Sequence, residues 1–527
     1  MSVDGDDGKP KEGPDSPGSA GWTRPRKMCL FGGSAGPLAL EAGGSIGPVE
    51  VEYEAYGELG PERDNAVVVC HALTGDAHAA GWDAEPDGPL REYRKRKPGW
   101  WDAMIGPGKA IDTSRFYVLC INVLGSCYGS SGPSSVNPST GRPWGLDFPI
   151  VTVGDWARIQ AAVMDRLGIG CARAVIGGSM GGQIALELAL AFPERVRAIG
   201  VLSAGHRLTS QGLAFNAVGR NAIVSDPDFN GGGYYGGERP LKGLAVARMM
   251  AQITYLSEES MGHKFGRRLR GKDSPDFTLT GIEFEMESYL NHQAASFVAR
   301  YDPNSYLYMT RAMDYYDAGI RWGDGDLKRA VERIRAKTLV VSFSSDWLFP
   351  PELCRQMVSA MCLARLPVSY VNIPSRYGHD AFLVETQVVD RLIRGFLKDP
   401  PAGAGQTSGF NAGGLGEGGP EPESREPGSR EPGGAAGTHG EGPGERLPSD
   451  ENGGSPSGNG GSGRKGAAVL SRDGAGGRLE APDSRTARED QTAGKAETGQ
   501  RDGNGAPDAM APRQSPDLKP AGNSTSC

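Results

Sequence analysis

The chain has 527 residues, of which 38% are hydrophobic, and its formal net charge at pH 7 is −8. This acidic balance argues against a nucleic-acid-binding protein, and no uninterrupted apolar run is long enough to cross a membrane. The eight cysteines form no C-x-x-C pair, which argues against a zinc site. The first residues contain no apolar stretch of the kind found in secretory signals, so we expect a cytoplasmic protein.

Two terminal segments are predicted to be disordered. Residues 1–25 are acidic and poor in apolar side chains, and residues 399–527 are rich in Gly, Pro, Ser, Glu, Arg and Asp, with Phe410 as their single aromatic residue. Such segments bury too little apolar surface to offset the entropy that ordering costs. The folded part of the chain is therefore expected within residues 26–398.

Between these segments, β-rich and helix-favouring stretches alternate, which is typical of an α/β protein. Several β-rich stretches are continuous apolar runs, as in parallel strands covered on both faces; they lie at 49–57, 65–73, 115–125, 173–178, 198–205, 337–345 and 368–373. Helical patterns follow some of them, at 153–169, 181–192 and 351–366. We predict a mostly parallel sheet with helices on both faces, formed by residues 26–205 and 337–398, into which residues 206–336 insert a helical lid.

A glycine-rich turn around Ser179 is the first candidate for chemistry. The sequence "GGSMG" (177–181) fits the pattern G-x-S-x-G, with a predicted strand before it and a predicted helix after it. This context is typical of the nucleophile turn of the α/β-hydrolase fold, where small neighbours allow close passage of the chain. We therefore predict that Ser179 is a nucleophile.

A serine nucleophile needs a histidine base that a carboxylate orients, and in this fold the chain order is Ser, then Asp or Glu, then His. Of the seven histidines, two precede Ser179, three lie in the predicted lid and one lies in the C-terminal tail. The remaining one, His379, follows the last predicted strand, and Asp346 follows the strand before it. We predict that His379 is the base and Asp346 its orienting carboxylate.

An acyl-transfer site of this kind also needs two N–H donors for a developing oxyanion. One is expected from Met180, at the start of the helix after the serine. The other is expected from Leu73, in the loop after the predicted strand at 65–73. In the same stretch, His71 and His78 are assigned to local packing and hydrogen bonding, because their spacing with no third ligand is not a zinc pattern.

Several longer blocks resemble one family closely. The stretches "HALTGDAH", "VLGSCYGSSGPSSVNPSTGRPWGLDFP", "GGSMGGQIALE", "GRNAIVSDPDF", "SDWLFPP" and "YGHDAFL" are similar to the signature blocks of the homoserine O-acetyltransferases, which have the α/β-hydrolase fold and act in methionine biosynthesis. The resemblance spans about residues 27–398, essentially the whole predicted folded part. The tail has no counterpart in the family pattern.

The resemblance implies a ping-pong reaction in which Ser179 takes an acetyl group from acetyl-CoA and the hydroxyl of L-homoserine accepts it. It further implies that Arg220 holds the α-carboxylate of homoserine and that Asp380 pairs with its α-ammonium group, with Thr74, Tyr234 and Tyr235 as further candidate contacts. The family uses acetyl-CoA as a co-substrate and needs no metal or bound cofactor. Its members form homodimers through lid helices, which implies a homodimer here.

Alternatives stay open for the acyl donor, for the acceptor and for the type of reaction. Relatives use succinyl-CoA or acylate serine, and a succinyl group should require a cation near its distal carboxylate. Leu348, two positions after Asp346, is apolar and favours acetyl. An esterase would share the triad but would not need the charges of Arg220 and Asp380. A non-catalytic binding protein would not need an intact triad.

Overall fold

The computed structural model describes Gly21 and residues 23–83, 85–86 and 88–398. The predicted tail at 399–527 lies outside the described residues, as do residues 1–20 and 22 of the predicted disordered N terminus. Residues 23–25 form neither helix nor strand.

The described strands form one large sheet and two small pairs. They are β1 (Arg26–Leu30), β2 (Leu38–Ala39), β3 (Ser45–Ile46), β4 (Val49–Tyr56), β5 (Ala66–Cys70), β6 (Ile105–Gly106), β7 (Ile111–Asp112), β8 (Tyr117–Ile121), β9 (Ala174–Gly178), β10 (Ala198–Leu202), β11 (Lys337–Phe343) and β12 (Val368–Ile373). The large sheet has the order β1-β4-β8-β5-β9-β10-β11-β12. The pairs from β8 to β12 are parallel, whereas β1 and β4 are antiparallel to their neighbours. The predicted mostly parallel sheet is confirmed.

The helices cover both faces of this sheet or lie between β10 and β11. They are α1 (Val153–Arg166), α2 (Met180–Ala191), α3 (Ser210–Val224), α4 (Leu241–Tyr255), α5 (Glu258–Lys264), α6 (Glu285–Val298), α7 (Pro303–Tyr315), α8 (Ala318–Gly323), α9 (Leu327–Val331), α10 (Pro351–Leu363), α11 (Ala381–Val384) and α12 (Thr386–Phe396). Helices α3 to α9 fall within the stretch predicted as a lid. Within the residues described, none of the helices combines the length and apolar character that crossing a membrane requires.

Strand β5 illustrates why its residues form a central strand. All five of its residues, AVVVC, are buried. Ala66, Val68 and Cys70 enter an apolar cluster that also contains residues of α1, α2 and α10. Val67 and Val69 enter a second cluster that contains residues of α12. Because alternate side chains point to opposite faces, a strand covered on both sides must be apolar throughout.

The sheet brings the predicted site residues to one edge. The parallel strands β5, β9, β11 and β12 end at Cys70, Gly178, Phe343 and Ile373. Leu73, Ser179, Asp346 and His379 each follow one of these ends within a few residues. In open α/β sheets, sites form at the carboxyl ends of the strands.

Candidate functional site

Ser179 occupies a strained backbone position between β9 and α2. Its φ is 57° and its ψ is −126°, a combination that non-glycine residues rarely adopt. Its N–H donates to Leu202 O at 3.0 Å, which fixes the turn to the neighbouring strand. The residue is 6% exposed. The turn therefore presents a hydroxyl next to the first free N–H groups of a helix.

The glycines around Ser179 are required by close packing. A Cβ at Gly178 would lie 2.4 Å from Phe382 Cε2, and one at Gly181 would lie 2.1 Å from the carbonyl oxygen of Cys70. A Cβ at Gly177 would lie 2.3 Å from the carbonyl carbon of Gly181. Two of these three contacts are with backbone, which cannot move aside as a flexible side chain can. Small residues are therefore required beside Ser179 for the chain to pass this closely, as the sequence pattern predicts.

His379 and Asp346 form a buried hydrogen-bonded pair. His379 Nδ1 lies 2.9 Å from Asp346 Oδ2, and both residues are 2% exposed. The other carboxylate oxygen, Asp346 Oδ1, accepts the backbone N–H groups of Leu348 and Phe349 at 3.1 and 2.9 Å. Because the carboxylate accepts, Nδ1 carries the hydrogen, and the neutral ring is left with a basic Nε2.

The charge of this pair changes the acidity of the ring. Burial by itself lowers the pKa of His379, but the charge of Asp346, its hydrogen bond and the charge of Asp380 outweigh burial, so the pKa lies above its ordinary value. A base with a raised pKa holds a transferred proton more firmly.

The imidazole and the Ser179 hydroxyl share one set of neighbours. The His379 ring centroid lies 5.5 Å from that of Phe349 and 5.8 Å from that of Phe382. Phe349 lines the same cavity as Ser179, and Phe382 packs against Gly178 beside it. In the described part of the chain, no hydrogen bond joins Ser179 Oγ to the imidazole. Such bonds are often long in free enzymes and tighten when substrate binds.

A narrow cavity opens beside Ser179. Its volume is about 30 Å³. Its lining is mainly apolar and aromatic and comes from the lid and from loops of the sheet: Leu73, Ser179, Leu208, Gly212, Phe215, Asn216, Met250, Ala251, Thr254, Tyr255, Tyr306, Met313, Leu348 and Phe349. Leu348, the predicted acyl-group determinant, is in this lining.

The two residues predicted to supply oxyanion donors lie near Ser179. Leu73 lines the cavity, and Met180 is the first residue of α2. Among the described residues, neither backbone N–H makes a hydrogen bond. The Leu73 loop is anchored to the lid, since Tyr301 Oη donates to Leu73 O at 2.9 Å and Arg300 Nη1 donates to Thr74 O at 3.2 Å.

Arg220 lies on α3 and is mostly buried. Its Nη2 pairs with Asp314 Oδ2 at 2.6 Å, and its Nη1 is buried with no hydrogen-bond partner among the described residues. Asn216, one turn earlier on α3, donates to Asp314 Oδ1 at 2.8 Å and lines the cavity. Asp314 therefore links the Arg220 guanidinium to Asn216, which lines the cavity.

Asp380 follows His379 and is 5% exposed. Burial raises the pKa of Asp380 above its ordinary value, and the charges of His379 and Arg248 offset only part of that effect. Arg248, on α4, lies over the Tyr255 ring at 5.4 Å, and Tyr255 lines the cavity. Arg248 is thus a second buried cation besides Arg220, and its charge acts on Asp380.

Three candidate contacts from the sequence lie outside the cavity lining. Tyr234 and Tyr235 donate through their hydroxyls to Asp302 at 2.9 and 3.0 Å and so tie their loop to the start of α7. Thr74 offers its carbonyl oxygen to Arg300. In the described residues, no group of three or more His, Cys, Asp or Glu side chains is arranged to hold a metal ion.

Sequence reasoning missed Asp314 and Arg248. Asp314 sits in an ordinary helix, and nothing near it in sequence marks it as the partner of Arg220. Arg248 did carry a signal, because it is a lone cation inside the apolar stretch "GLAVARMMAQITYL". A charge in such a stretch is rarely buried without a partner.

Comparison with known proteins gives consistent matches. A family model described as "alpha/beta hydrolase fold" matches residues 65–386. The chain is 50% identical over 361 residues to a homoserine O-acetyltransferase of Methanohalobium evestigatum, covering 68% of this chain and 71% of that protein. It is 47% identical over 363 residues to a homoserine O-succinyltransferase of Alkalilimnicola ehrlichii, covering 69% and 92%. A solved homoserine O-acetyltransferase from Bacillus anthracis is similar with a TM-score of 0.65 and 28% identity, covering 72% of this chain and 98% of that one.

Proposed function

The chain belongs to the homoserine O-acyltransferase family within the α/β-hydrolase fold, and on that premise we propose that it transfers an acetyl group from acetyl-CoA to L-homoserine through an acyl-Ser179 intermediate. The observation that carries the proposal is the His379–Asp346 pair beside the strained Ser179 turn. The pair supplies a base of the correct tautomer, and the turn supplies a hydroxyl at a helix N terminus.

In the first half-reaction, Ser179 Oγ attacks the thioester carbonyl carbon while His379 Nε2 takes the hydroxyl proton. The carbonyl oxygen becomes an oxyanion, which the N–H groups of Leu73 and Met180 stabilise. The intermediate collapses, the carbon–sulfur bond breaks, and the proton on His379 goes to the departing thiolate. The products are the Ser179 acetyl ester and free coenzyme A.

In the second half-reaction, the homoserine hydroxyl attacks the acetyl ester while His379 Nε2 takes its proton. The same two N–H groups stabilise the second oxyanion. Collapse breaks the bond to Ser179 Oγ, which regains the proton from His379. The product is O-acetyl-L-homoserine, and the enzyme returns to its starting state with no metal or cofactor required.

The acceptor is proposed to bind by its two charges. The buried Nη1 of Arg220 offers the α-carboxylate a donor that no described residue engages, and a planar guanidinium suits a carboxylate well. Asp380 pairs with the α-ammonium group. Both charges of a zwitterion must be met once water is excluded, so this pair supports an amino acid as acceptor.

The acetyl group is proposed on the character of the cavity. In the described part of the chain, no charged side chain lines the cavity, and the side chain of Leu348 in this lining is apolar. The distal carboxylate of a succinyl group would have to be buried there with no cation in the cavity lining, which is costly. Names of relatives include both acyl groups, so the donor is the part of the proposal that needs its own assay.

The test compares acetyl-CoA and succinyl-CoA, each with L-homoserine and L-serine, by following thiol release and the acylated amino acid. We expect the highest kcat/KM for acetyl-CoA with homoserine. Ser179→Ala should abolish the acyl-enzyme, which mass spectrometry detects as one added acetyl group. Without an acceptor, one equivalent of thiol per enzyme is expected from acylation, whereas continued thiol release over many turnovers would identify an esterase. No acyl-enzyme in the wild type would contradict the mechanism.

The homodimer through the lid is part of the same proposal. Exposed apolar side chains lie on the two packed lid helices α3 and α4: Leu213, Val218, Val224, Leu241 and Val246. A dimer interface on α3 and α4 would cover these apolar side chains. Sedimentation analysis of the wild type and of Val246→Glu checks it, and we expect a dimer for the former and a shift to monomer for the latter.

A further inference from the structure

The peptide unit between Ala72 and Leu73 is held by two contacts to its carbonyl oxygen. The Leu73 N–H and the Ala72 carbonyl belong to the same planar peptide. Ala72 O lies 2.9 Å from His71 Nδ1 and accepts the Gly75 N–H at 2.9 Å. Because the peptide is rigid, fixing the carbonyl at one end fixes the direction of the N–H at the other.

His71 is buried, and both the Leu73 loop and the first turn of α2 pack against it. The residue directly follows β5 and is 0% exposed. A Cβ at Gly75 would lie 3.0 Å from His71 Cβ, so the loop folds back against the histidine side chain. A Cβ at Gly181 would lie 3.0 Å from His71 O, so the first turn of α2 packs on the same segment. The two proposed oxyanion donors thus sit on elements that touch at His71.

The hydrogen bond defines the form of the ring. A carbonyl oxygen can only accept, so Nδ1 of His71 must carry the hydrogen. Burial lowers the pKa of His71, and the Ala72 carbonyl, Asp76 and Asn122 offset only part of that effect. Burial thus favours the neutral ring, whose Nδ1–H is directed at Ala72 O. A hydrogen bond to a carbonyl also polarises the N–H of that peptide and strengthens the bond it can donate.

We propose that His71 is a positioning residue for the oxyanion site: its Nδ1–H holds and polarises the 72–73 peptide so that the Leu73 N–H points at the developing oxyanion. This inference rests on the proposed function in one respect, since it needs an oxyanion to form at Ser179. It assigns His71 a role in both half-reactions, because each passes through an oxyanion at the same place. By contrast, Arg220 is proposed to act only in the second.

The test uses His71→Asn and His71→Gln as a matched pair. The Asn amide nitrogen can take the place of Nδ1, whereas the Gln amide nitrogen falls near the place of Nε2. Loss of a complete oxyanion donor costs about 10²- to 10³-fold in kcat, and a misaimed donor should cost part of that, roughly 10-fold or more. We expect His71→Gln to lose that factor in both acylation and deacylation, with the KM for homoserine unchanged, and His71→Asn to stay within about threefold of the wild type.

Acylation is measured first with p-nitrophenyl acetate, as a burst of p-nitrophenol, and then with acetyl-CoA and homoserine. His206→Gln is the control, because His206 is another buried histidine outside the proposed machinery, and it should leave the burst rate unchanged. Equal rates for His71→Asn and His71→Gln, or a loss confined to one half-reaction, would overturn the proposal. A wild-type burst with p-nitrophenyl acetate but none with acetyl-CoA would instead count against the proposed function, and the ester burst would still decide the role of His71.

Discussion

Replacing Asp346 by asparagine tests the proposed base with almost no change in shape. Asp346 Oδ1 accepts two backbone N–H groups, from Leu348 and Phe349. In Asp346→Asn the amide oxygen must stay at that position, because the amide nitrogen is a donor and would face two other donors. The amide NH₂ is then directed at His379 Nδ1. The ring must accept there, so its hydrogen moves to Nε2, and Nε2 can no longer act as a base.

The size of the effect follows from this forced tautomer. Loss of the correct tautomer in a Ser-His-Asp triad lowers kcat by about 10⁴. At 1.36 kcal/mol per tenfold change, this corresponds to about 5 kcal/mol of transition-state stabilisation. Stability should change little by comparison, because both backbone N–H groups keep their acceptor. Asp346→Ala is the contrast, since it also leaves the part-buried N–H of Leu348 and the buried N–H of Phe349 without an acceptor, at about 1–3 kcal/mol for the buried one.

The assay is a stopped-flow measurement of thiol release from acetyl-CoA, together with a thermal melt. We expect Asp346→Asn to melt within a few degrees of the wild type and to acylate about 10³- to 10⁴-fold more slowly. Asp346→Ala should lose a similar factor in rate and should also melt earlier. If Asp346→Asn acylates at more than one tenth of the wild-type rate, the argument from the tautomer is wrong.

Three further outcomes are expected. The acylation rate should fall on acidification with a midpoint above the ordinary histidine value, since the pKa of His379 is raised chiefly by Asp346 against the effect of burial; a midpoint below that value in a pH–rate profile would contradict the assignment. Gly181→Ala should lower stability by roughly 1–3 kcal/mol or more in a denaturant melt, because its Cβ would meet backbone. The control Gly170→Ala has no atom within 4 Å of the new Cβ and should be near neutral. Truncation after Lys398 should leave turnover intact, and a large loss would show that the tail contributes.

The sequence sufficed for the sheet and for the pair His379–Asp346 because both follow from simple rules. Continuous apolar runs mark strands covered on both faces, and parallel strands end at one edge of the sheet. The loops after β11 and β12 then had to meet, and a single histidine was available there. The predicted strand at 65–73 was too long, since β5 ends at Cys70. The extra residues form the loop that carries Leu73.

Contacts between distant helices could not be read from the sequence. Asp314 meets Arg220 because α3 and α7 pack together, and no spacing along the chain records that packing. For Tyr234 and Tyr235, the sequence offered two aromatic hydroxyls in a glycine-rich loop but not their acceptor, Asp302. The sequence alone therefore does not show whether a polar side chain near a site contacts a substrate or a buried group of the protein, because buried polar groups also need hydrogen-bond partners.

The pairing of Arg220 bears on which acceptors the site would favour. Asp314 pairs with Arg220 at 2.6 Å and with the partly exposed Arg311 at 3.7 Å. A ligand carboxylate that reaches Arg220 Nη1, which no described residue engages, therefore brings a second negative charge to a mostly buried site. A simple carboxylic acid would bring that charge without compensation, and Asp380 beside His379 would oppose it when ionised. A zwitterion brings its own cation and removes the imbalance. Under the proposed function, the charge pair therefore selects an amino acid over a plain carboxylate, and the apolar cavity beside Ser179 is left to select the acyl group.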